Sequence, residues 1–480
     1  MPPTPPSRRD VLEGVAAASL LAGCNVSVSV QGDTDSDART DTGAPVDTAD
    51  TAVAGPPEIT FDPSTLAVDE VAFPWSVQAG AMEPYAATLV TKVKPQATVL
   101  LRVWRETAVF GTVLLHHEEL VTATPAGFLR VRVAALEPGA WHHYGYFRVD
   151  TSGAPEARSI LGRFRTPPLE GTKEPLTISA HACNGPGTGF DDAMGRLAEH
   201  EDVDLLIHLG DMAYCDGARS LEEYRRKWQD WMASDGYKRG LAAAGLYACW
   251  DDHEVDNNWD PETISQAQRE AALLAFVEHV AVEPGDDGRL WRSYRWGDTA
   301  EIFVLDCRGE RRPSTSGGNA ADDVYLSRAQ LDWLKEGLQR SPCHFKLVMS
   351  SVPITIMPFF GVAKDDRWEG YPGQRSELVG HIRDLDLRNV WFLGGDFHIN
   401  FVGTINKGGQ GRLADTWEIA VTSGNINPAA LLLQPPQFRY ATAEPRLSKI
   451  TFDPSADKVT IRFYDPADGA LDRELELSQP

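Results

Sequence analysis

The pattern of apolar and polar positions divides the chain near residue 170. Between residues 57 and 167, short segments such as Thr98–Trp104 and Tyr144–Val149 alternate apolar with polar side chains. Alternation with a period of two is typical of strands that bury one face. Strands of this kind over about 100 residues predict a small all-β sandwich, similar to immunoglobulin or fibronectin type III domains. Two histidine pairs on these strands are interpreted as surface residues rather than metal ligands: His116-His117 and His142-His143.

From Glu174 onwards, apolar segments alternate with helical ones, which indicates an α/β layer structure over residues 174–480. The best-marked helix begins after Ser327, which is predicted to form a capping box with Gln330. Its apolar face is formed by Leu331, Leu334 and Leu338. Three alternating segments near the C-terminus predict antiparallel strands that complete the sheets: Lys449–Phe452, Lys458–Phe463 and Leu471–Leu477.

Polar side chains follow six of the apolar segments in this second region. They are His181 and Cys183; Asp211 and Tyr214; Asp252 and His253; Asp306 and Arg308; Ser350 and Ser351; and Asp396 and His398. Open α/β sheets place their active sites at the carboxyl ends of their strands. The six segments therefore predict that these side chains meet in one active site.

Composition and charge narrow the class of function. The 480 residues exceed what one hydrophobic core usually holds, in agreement with two structured regions. Asp and Glu number 69 against 45 Lys and Arg, so the formal net charge is −24. We expect no nucleic-acid partner, because such partners select a basic face. No segment reaches the roughly 20 apolar residues of a membrane-spanning helix, so an integral membrane protein is not predicted.

The first 24 residues are predicted to be an export signal. Arg8-Arg9 precedes the short apolar stretch Val15–Ala22, as in twin-arginine signals, and Leu21–Cys24 resembles a bacterial lipobox. Cys24 would then carry the lipid that anchors the protein to a membrane of the bacterial cell envelope, facing the periplasm or the outer surface. Residues 25–56 hold no Leu, Ile, Met or aromatic residue and predict a disordered acidic linker. The other five cysteines are an odd number, so at least one thiol stays free.

The side chains at the predicted strand ends suit a pair of metal ions. The candidate ligands are Cys183, Asp211, Tyr214, Asp252, Asp396 and His398. Carboxylates crowded into one pocket repel one another unless cations lie between them. A thiol and a phenol beside an imidazole suit a transition metal, particularly ferric iron, and the carboxylates suit Ca²⁺ or Mg²⁺. Two metals sharing a carboxylate would activate water for attack on phosphorus, and Arg308 with Arg311 would hold phosphate oxygens.

Five motifs occur in order along this region. They are Gly210-Asp211-x-x-Tyr214, Trp250-Asp251-Asp252-His253-Glu254 continuing to Asn258, Asp306-x-Arg308-x-x-Arg311, Trp368-Glu369-Gly370-Tyr371 with Arg375, and Gly395-Asp396-x-His398. Together they resemble the alkaline phosphatase D (PhoD) family of the metallophosphoesterase superfamily, including its N-terminal sandwich. The resemblance covers about residues 57–480. It implies a four-layer αββα sandwich fold and a dinuclear site that holds Fe³⁺ and Ca²⁺.

The resemblance also implies a role for individual residues. Asp211 would bridge the two metals, and His253 would meet the phosphate or the leaving oxygen. Iron would be bound by Cys183, Tyr214 and His398, and the second metal by Asp252 and Asp396. The chain departs from the family pattern at Ala182, where serine is common. His181 lies on the same strand face as Cys183 and is interpreted either as an extra or supporting ligand or as a satisfied buried histidine.

Some of these residues also have a structural interpretation. Cys183 could pack as a small apolar side chain, Tyr214 could close its strand, and Arg308 could neutralise Asp306. Trp368 and Tyr371 are predicted to line the substrate pocket, with core packing as the alternative. Three further cysteines adjoin motifs without occupying ligand positions and are predicted to pack in the core: Cys215, Cys249 and Cys307.

Residues and resemblance together predict an exported metal-dependent hydrolase that acts on small phosphate monoesters or diesters, with no protein partner. A phosphodiesterase acting on phospholipid, teichoic-acid-like or nucleic-acid fragments would use the same site. Purple acid phosphatases share the sandwich and the first motif, but they normally carry Asn-His-Glu/Asp and a final His-x-His. This chain instead has Asp252-His253-Glu254 and Asp396-x-His398. The third alternative is a surface lipoprotein that binds ligands through an inactive phosphatase domain.

Overall fold

The structure is a computed structural model that describes residues 55–185, 190–312, 324–358, 366–406 and 416–478. The predicted export signal, Cys24 and nearly all of the predicted linker lie outside these ranges. Contacts between residues divide the chain into Met1–Glu58 and Ile59–Pro480, and the second unit carries every candidate site residue. Within the described ranges, each helix is too short or too polar to cross a bilayer.

The region predicted to be a sandwich forms ten strands. They are β1 (Glu58–Thr60), β2 (Ala67–Val68), β3 (Gln78–Glu83), β4 (Ala86–Lys92), β5 (Thr98–Glu106), β6 (Thr112–Thr122), β7 (Phe128–Val133), β8 (Trp141–Val149), β9 (Pro155–Arg158) and β10 (Gly162–Arg165). Buried and partly exposed residues alternate in β10, whereas β3, β4 and β5 are buried at most consecutive positions because both of their faces are largely covered.

The remainder of the described chain mixes strands and helices. The strands are β11 (Leu176–His181), β12 (Leu205–Leu209), β13 (Gly245–Cys249), β14 (Arg292–Trp296), β15 (Ala300–Val304), β16 (Phe345–Met349), β17 (Val390–Gly394), β18 (Asn400–Thr404), β19 (Trp417–Ala420), β20 (Phe438–Thr442), β21 (Leu447–Asp453), β22 (Lys458–Tyr464) and β23 (Leu471–Leu477). The helices are α1 (Phe190–Arg196), α2 (Leu221–Met232), α3 (Asp235–Ala243), α4 (Gln266–His279), α5 (Arg328–Arg340) and α6 (Pro372–Asp384).

The described strands form three sheets. A nine-stranded sheet has the order β23-β22-β21-β11-β12-β13-β3-β4-β7, and a seven-stranded sheet has the order β14-β15-β16-β17-β19-β18-β20. The third sheet, β1-β6-β5-β8-β9-β2 with β10 on β8, contains only N-terminal strands. Because β3 pairs in parallel with β13, three strands of the predicted sandwich extend a sheet of the α/β region. The predicted boundary between residues 167 and 174 is therefore not a break between sheets.

Alternate side chains of the central strands enter different apolar clusters. In β12, Leu205 and Ile207 belong to the largest cluster, whereas Leu206 packs with Trp228 of α2 and Leu241 of α3. The same division holds in β17. Its Trp391 and Leu393 enter the largest cluster, while Val390 and Phe392 pack with Leu334 of α5 and Leu378 of α6. Each central sheet thus packs on the shared core through one face and on helices through the other.

The parallel strands place the candidate residues at one edge. Strands β11, β12 and β13 run parallel in one sheet, and β15, β16 and β17 run parallel in the other. Cys183, Asp211 and Asp252 follow the carboxyl ends of the first three strands, and Asp396 follows β17. Since the two sheets share one core, these ends lie close together.

Several local predictions can be compared with the structure. The C-terminal strands β21, β22 and β23 are antiparallel, as predicted. Ser327 caps α5 by accepting a hydrogen bond from the Gln330 N–H, but the predicted capping box is incomplete. The Gln330 side chain instead bonds the backbone of Asp306, where it accepts from N–H and donates to C=O. His142 is also not a surface residue, because its ring is fully buried and stacks on Phe164.

Candidate metal centre

Four of the predicted ligands have backbone conformations that non-glycine residues rarely adopt. The φ angles are 56° for Cys183, 56° for Asp211, 58° for Asp396 and 57° for His398. Left-handed conformations cost of order 1–3 kcal/mol each and persist where the surrounding structure over-determines them. Here each one turns a side chain sharply at the end of a buried strand. Such strain concentrates at functional sites, which fits the role that the motifs predict.

Two glycines allow the strand ends to approach one another. Gly210 has a φ of 101°, and a Cβ atom there would lie 2.4 Å from the Cβ atom of Asp251. A Cβ atom on Gly395 would lie 2.8 Å from that of Ala182, on the neighbouring sheet. The backbones of the Asp211 and Asp396 loops are therefore closer to the opposing loops than any other residue would permit.

Five of the six predicted ligands, together with Asp251 and His253, form three overlapping groups that could bind cations. The groups are Cys183, Asp211 and His398; Asp211, Asp252 and His253; and Asp251, Asp252 and Asp396. In each group the ligand atoms lie within 4.8 Å of one another. Asp211 belongs to the first two groups and Asp252 to the last two, so the geometry suits two adjacent cations that share carboxylates. The Oδ1 atom of Asp252 is buried without a hydrogen-bond partner, as expected of a ligand atom.

Tyr214 lies beside the first group. Its hydroxyl is 3.5 Å from Oδ2 of Asp211 and accepts a 2.6 Å hydrogen bond from Nδ2 of Asn425. Its ring packs on His253, with 4.1 Å between the ring centroids. Burial and the charge of Asp211 raise the pKa of Tyr214, so the phenol stays protonated unless a cation lowers its pKa.

The electrostatics of the cluster favour bound cations. Burial and the neighbouring carboxylates raise the pKa values of Asp211 and Cys183 well above their usual ranges. Burial also raises the pKa of Asp396, together with the charge of nearby aspartates. Burial lowers the pKa of His398 to about 4, which keeps its imidazole neutral and its lone pair available. A cation among these groups would remove the repulsion and favour the deprotonated ligands.

Arg308, predicted to hold phosphate oxygens, lies among carboxylates in the structure. The side chain is fully buried, and its Nε and Nη2 atoms donate to both oxygens of Asp251 at 2.6 and 3.1 Å. The Nη2 atom also donates to Asp396 at 2.9 Å, and Nη1 donates to Asp366. Each nitrogen of this guanidinium thus donates to at least one carboxylate. The Asp306 carboxylate accepts from the backbone N–H of Arg308 and from the Trp250 indole N–H, and its hydrogen bonds among the described residues include none from the Arg308 guanidinium.

The other predicted substrate contacts also lie inside the protein. Arg311 is 2% exposed and donates to Asp366 and to the carbonyl of Trp259. Trp368 and Tyr371 are buried in the apolar cluster between α5, α6 and their sheet. Their placement agrees with the packing alternative and leaves them no surface to offer a substrate.

His181 and the neighbouring cysteines have structural surroundings. The His181 ring is buried, with Nδ1 2.9 Å from the Ser423 hydroxyl and Nε2 3.0 Å from the Ser179 hydroxyl. Burial lowers the pKa of His181 to about 3. With both nitrogens partnered, His181 is a satisfied buried histidine. Three cysteines are buried among apolar side chains, as predicted: Cys215, Cys249 and Cys307.

Comparison with known proteins identifies the family. The family model described as PhoD-like phosphatase matches residues 178–444, which is more than half of the chain. The chain belongs to the PhoD-like phosphatase family. The matched range contains all of the candidate metal ligands, so the resemblance predicted from the motifs is confirmed.

Individual relatives agree with this PhoD-like assignment. Alkaline phosphatase D of Bacillus subtilis (strain 168) is 26% identical over 386 residues, covering 66% of this chain and 65% of the relative. The chain thus spans just under two thirds of that relative's length. A solved structure of PhoD aligns with a TM-score of 0.70 at 20% identity, over 85% of this chain and 89% of that one. Purple acid phosphatase PPD1 from yellow lupin (Lupinus luteus) gives 0.60 at 13% identity, over 85% and 75%. These structures share the fold.

The structure adds an acidic partner for His253 that the motifs did not predict. Nδ1 of His253 lies 2.8 Å from Oδ2 of Asp216, two residues after Tyr214. Asp216 and Asp252 raise the pKa of His253 against the lowering effect of burial. The carboxylate holds the ring so that Nε2 is the nitrogen left for the metal cluster. Its position in the sequence, just beyond the first motif, was the available signal.

Glu254 is a second residue whose role emerges only from the structure. Its buried carboxylate accepts hydrogen bonds from the N–H groups of Asp211 at 3.1 Å, Met212 at 2.5 Å and Asp251 at 2.8 Å. One side chain therefore holds together the two loops that carry the bridging candidate Asp211 and the Asp251–Glu254 turn. Burial and Asp251 raise the pKa of Glu254 to about 7. It supports the ligands without being one.

Proposed function

We propose that this protein is an exported metal-dependent phosphoesterase of the bacterial cell envelope, which hydrolyses phosphate monoesters or diesters. The observation that carries the proposal is the set of three overlapping ligand groups, joined through Asp211 and Asp252, in a chain of a phosphatase family. That this protein shares the activity and the substrates of its relatives is part of the proposal.

We assign Fe³⁺ and Ca²⁺ to the two positions by ligand chemistry. Cys183 and His398, with Tyr214 beside them, offer the thiol, imidazole and phenol that suit ferric iron. The all-carboxylate group, with Asp252 and Asp396, suits a hard cation such as Ca²⁺. Asp211 is the proposed bridging ligand. Cations held there would provide a water molecule of lowered pKa and offset the charge of the phosphate.

The protein side chains supply positioning and proton transfer. Asp216 fixes the His253 ring through Nδ1, so that Nε2 can donate a proton to the leaving oxygen of the ester. Arg308 would neutralise the carboxylates Asp251 and Asp396 rather than bind phosphate, because each of its nitrogens already donates to a carboxylate. Substrate phosphate would then be held by the cations and by His253.

The proposed function includes export to the cell envelope and a layered fold. The predicted twin-arginine signal and the lipid attachment at Cys24 support export and anchoring, and neither lies within the described residues. A four-layer αββα arrangement preceded by an N-terminal sandwich is supported by the division of strand side chains between a shared core and two helical clusters.

Metal analysis combined with two assays tests the function. Protein purified after native export should contain iron and calcium and should release phosphate from a monoester, a diester or both. Alanine at Asp211 should lose both metals together with activity, since one carboxylate serves both sites. Asp204→Ala, which alters a buried aspartate just before β12, is the matched control that should keep its metals. Full metal occupancy in Asp211→Ala would contradict the dinuclear assignment. If the wild type binds two metals but hydrolyses neither ester, the inactive binding lipoprotein would be favoured.

Colour tests the identity of the iron ligands. A phenolate and a thiolate bound to ferric iron donate charge to the metal and absorb visible light, whereas a pair of Zn²⁺ or Mg²⁺ ions is colourless. We expect a tinted protein whose visible band is lost or shifted in Tyr214→Phe. Tyr440→Phe, which removes a hydroxyl bonded to Asp472 far along the chain, should keep the band. A colourless and fully active enzyme containing only zinc or magnesium would refute the iron assignment alone.

A further inference from the structure

An apolar segment borders the candidate metal centre. Residues 424–438 include no charged side chain, and Pro428–Leu432 forms a 3₁₀ turn. Within this turn and just before it, Ile426 is 50% exposed, Leu431 79% and Leu432 56%. Of the twelve large apolar side chains that are exposed among the described residues, these three fall within seven consecutive positions. We call Ile426, Leu431 and Leu432 the apolar rim.

Hydrogen bonds attach this segment to the ligand loops. Asn425 donates from Nδ2 to the Tyr214 hydroxyl at 2.6 Å and from its backbone N–H to the Cys183 carbonyl at 3.0 Å. Asn427 donates from Nδ2 to the carbonyl of Phe397 at 3.2 Å, and Phe397 stands between Asp396 and His398. Asn425 and Asn427 thus fix the start of the segment, with Ile426 between them, against the ligand loops, and Leu431 and Leu432 follow in the adjoining 3₁₀ turn.

The inner side of the segment is fixed by packing. Ala430 and Leu433 are buried with Phe397 and Met357 in one apolar cluster. With these two positions turned inward, the intervening Leu431 and Leu432 remain in solvent although each would gain from burial. Single exposed apolar residues need no explanation, but a group of them beside a reaction centre marks a binding surface.

We propose that the apolar rim is a subsite for the hydrocarbon ester group of the phosphate substrate, an inference that rests on the proposed function. A phosphorus atom at the metal cluster leaves its ester substituent to run along the border of the cluster, where the rim lies. An anionic bilayer is the weaker alternative, because the segment has no lysine or arginine to meet its headgroups. The occupant is therefore a neutral apolar substituent of the substrate.

A homologous series of substrates tests the subsite. Alkyl p-nitrophenyl phosphate diesters from methyl to octyl, kept below their micelle concentrations, share one leaving group and differ only in chain length. We expect kcat/KM to rise by up to about fourfold for each methylene that the rim covers. In the variant with serine at positions 426, 431 and 432, the octyl-to-methyl ratio of kcat/KM should fall to near one. Leu431→Ser alone should reduce that ratio, and its side chain is exposed enough for the fold to tolerate the change.

The control is Phe110→Ser, which alters a 93% exposed side chain between β5 and β6 and should leave the octyl-to-methyl ratio unchanged. If the wild type hydrolyses the methyl ester but shows no dependence on chain length, the subsite is refuted and the phosphoesterase proposal stands. If neither monoester nor diester is hydrolysed by metal-loaded enzyme, the proposed function itself fails. Two other results would overturn the inference if kcat/KM shows no dependence on chain length. Binding to phospholipid vesicles that is lost in the serine variant would assign the rim to a membrane. A dimer that is lost in the serine variant would assign it to a second copy of the chain.

Discussion

Replacing Glu254 with alanine should show how much the metal centre depends on a residue that supports the ligand loops without binding metal itself. The Glu254 carboxylate is the shared acceptor for the N–H groups of Asp211, Met212 and Asp251. All of these groups are buried, and alanine brings no replacement acceptor. We therefore expect loss of both stability and metal affinity, although Glu254 is no ligand in the proposed site.

The magnitude follows from the number of donors left without a partner. Each buried N–H that loses its acceptor costs about 1–2 kcal/mol, so the three together should lower the free energy of unfolding by about 3–6 kcal/mol. The substitution also removes the cost of burying the carboxylate, and this burial raises the pKa of Glu254 to about 7. That gain offsets part of the lost stability, so the upper value is a bound. Released from their common acceptor, the loops of Asp211 and Asp252 would no longer hold their left-handed and buried conformations.

The assay compares two buried acidic residues at opposite ends of the same strands. Asp204 accepts hydrogen bonds from the Thr177 N–H at 2.9 Å and from Arg165 at 2.8 Å, at the amino ends of β11 and β12. Denaturant unfolding should show a loss of stability in both alanine variants. Metal analysis by mass spectrometry should show depletion only in Glu254→Ala. Two metals bound with wild-type affinity in that variant would refute the role assigned to Glu254.

Three other changes address different parts of the molecule. Asp216→Asn should lower kcat by about 10- to 100-fold for esters with poor leaving groups and much less for p-nitrophenyl esters, while the metal content stays unchanged. An equal loss of kcat for both kinds of ester would argue against His253 as proton donor. Arg308→Met should cost about 3–5 kcal/mol in denaturant unfolding because Asp251 and Asp396 lose their buried counter-charge, and added Ca²⁺ should recover part of that loss. Burial lowers the pKa of His279 to about 3, so the stability that its neutral form contributes above pH 6.5 is lost as the pH falls towards 3. Removing this group in His279→Phe should flatten the fall in unfolding free energy by about 1.4 kcal/mol per pH unit, measured from a baseline at pH 8.

The strand pattern was predictable because burial on one or both faces leaves a direct signature in the sequence. The C-terminal strands and the leucine face of α5 follow from periodicity alone. The pairing of β3 with β13 does not, since an edge strand extending another sheet shows the same alternation as one that closes a sandwich. His142 was misplaced for a related reason: a histidine that stacks on Phe164 in a core has the same sequence context as one on a surface.

The convergence of the candidate ligands was predictable because each lies at a fixed offset from a buried strand. Asp211, Asp396 and His398 needed only the knowledge that strand ends converge. The surroundings of Arg308 were not predictable, because a motif does not show how many carboxylates surround a guanidinium, and here each of its nitrogens donates to one. Asp216 escaped notice because its partner His253 is far from it in sequence, so only the folded chain brings the two together.

The charge of the site favours the metal ions that the proposed function requires. Asp251, Asp252 and Asp396 pair with one buried guanidinium, Arg308, and Asp211 adds a fourth carboxylate, so carboxylates outnumber guanidinium groups in the described cluster. An acidic cluster of this kind, in a chain of net charge −24, would repel a phosphate ester before any chemistry began. Arg308 does not offset this repulsion of the phosphate, because its charge already neutralises the carboxylates to which it donates. Bound cations would satisfy the unpartnered Oδ1 of Asp252, relieve the repulsion that raises the pKa values of Asp211 and Asp396, and give the substrate a positive surface. In the proposed function, the same feature that makes the bare cluster unfavourable would therefore make phosphate binding dependent on metal.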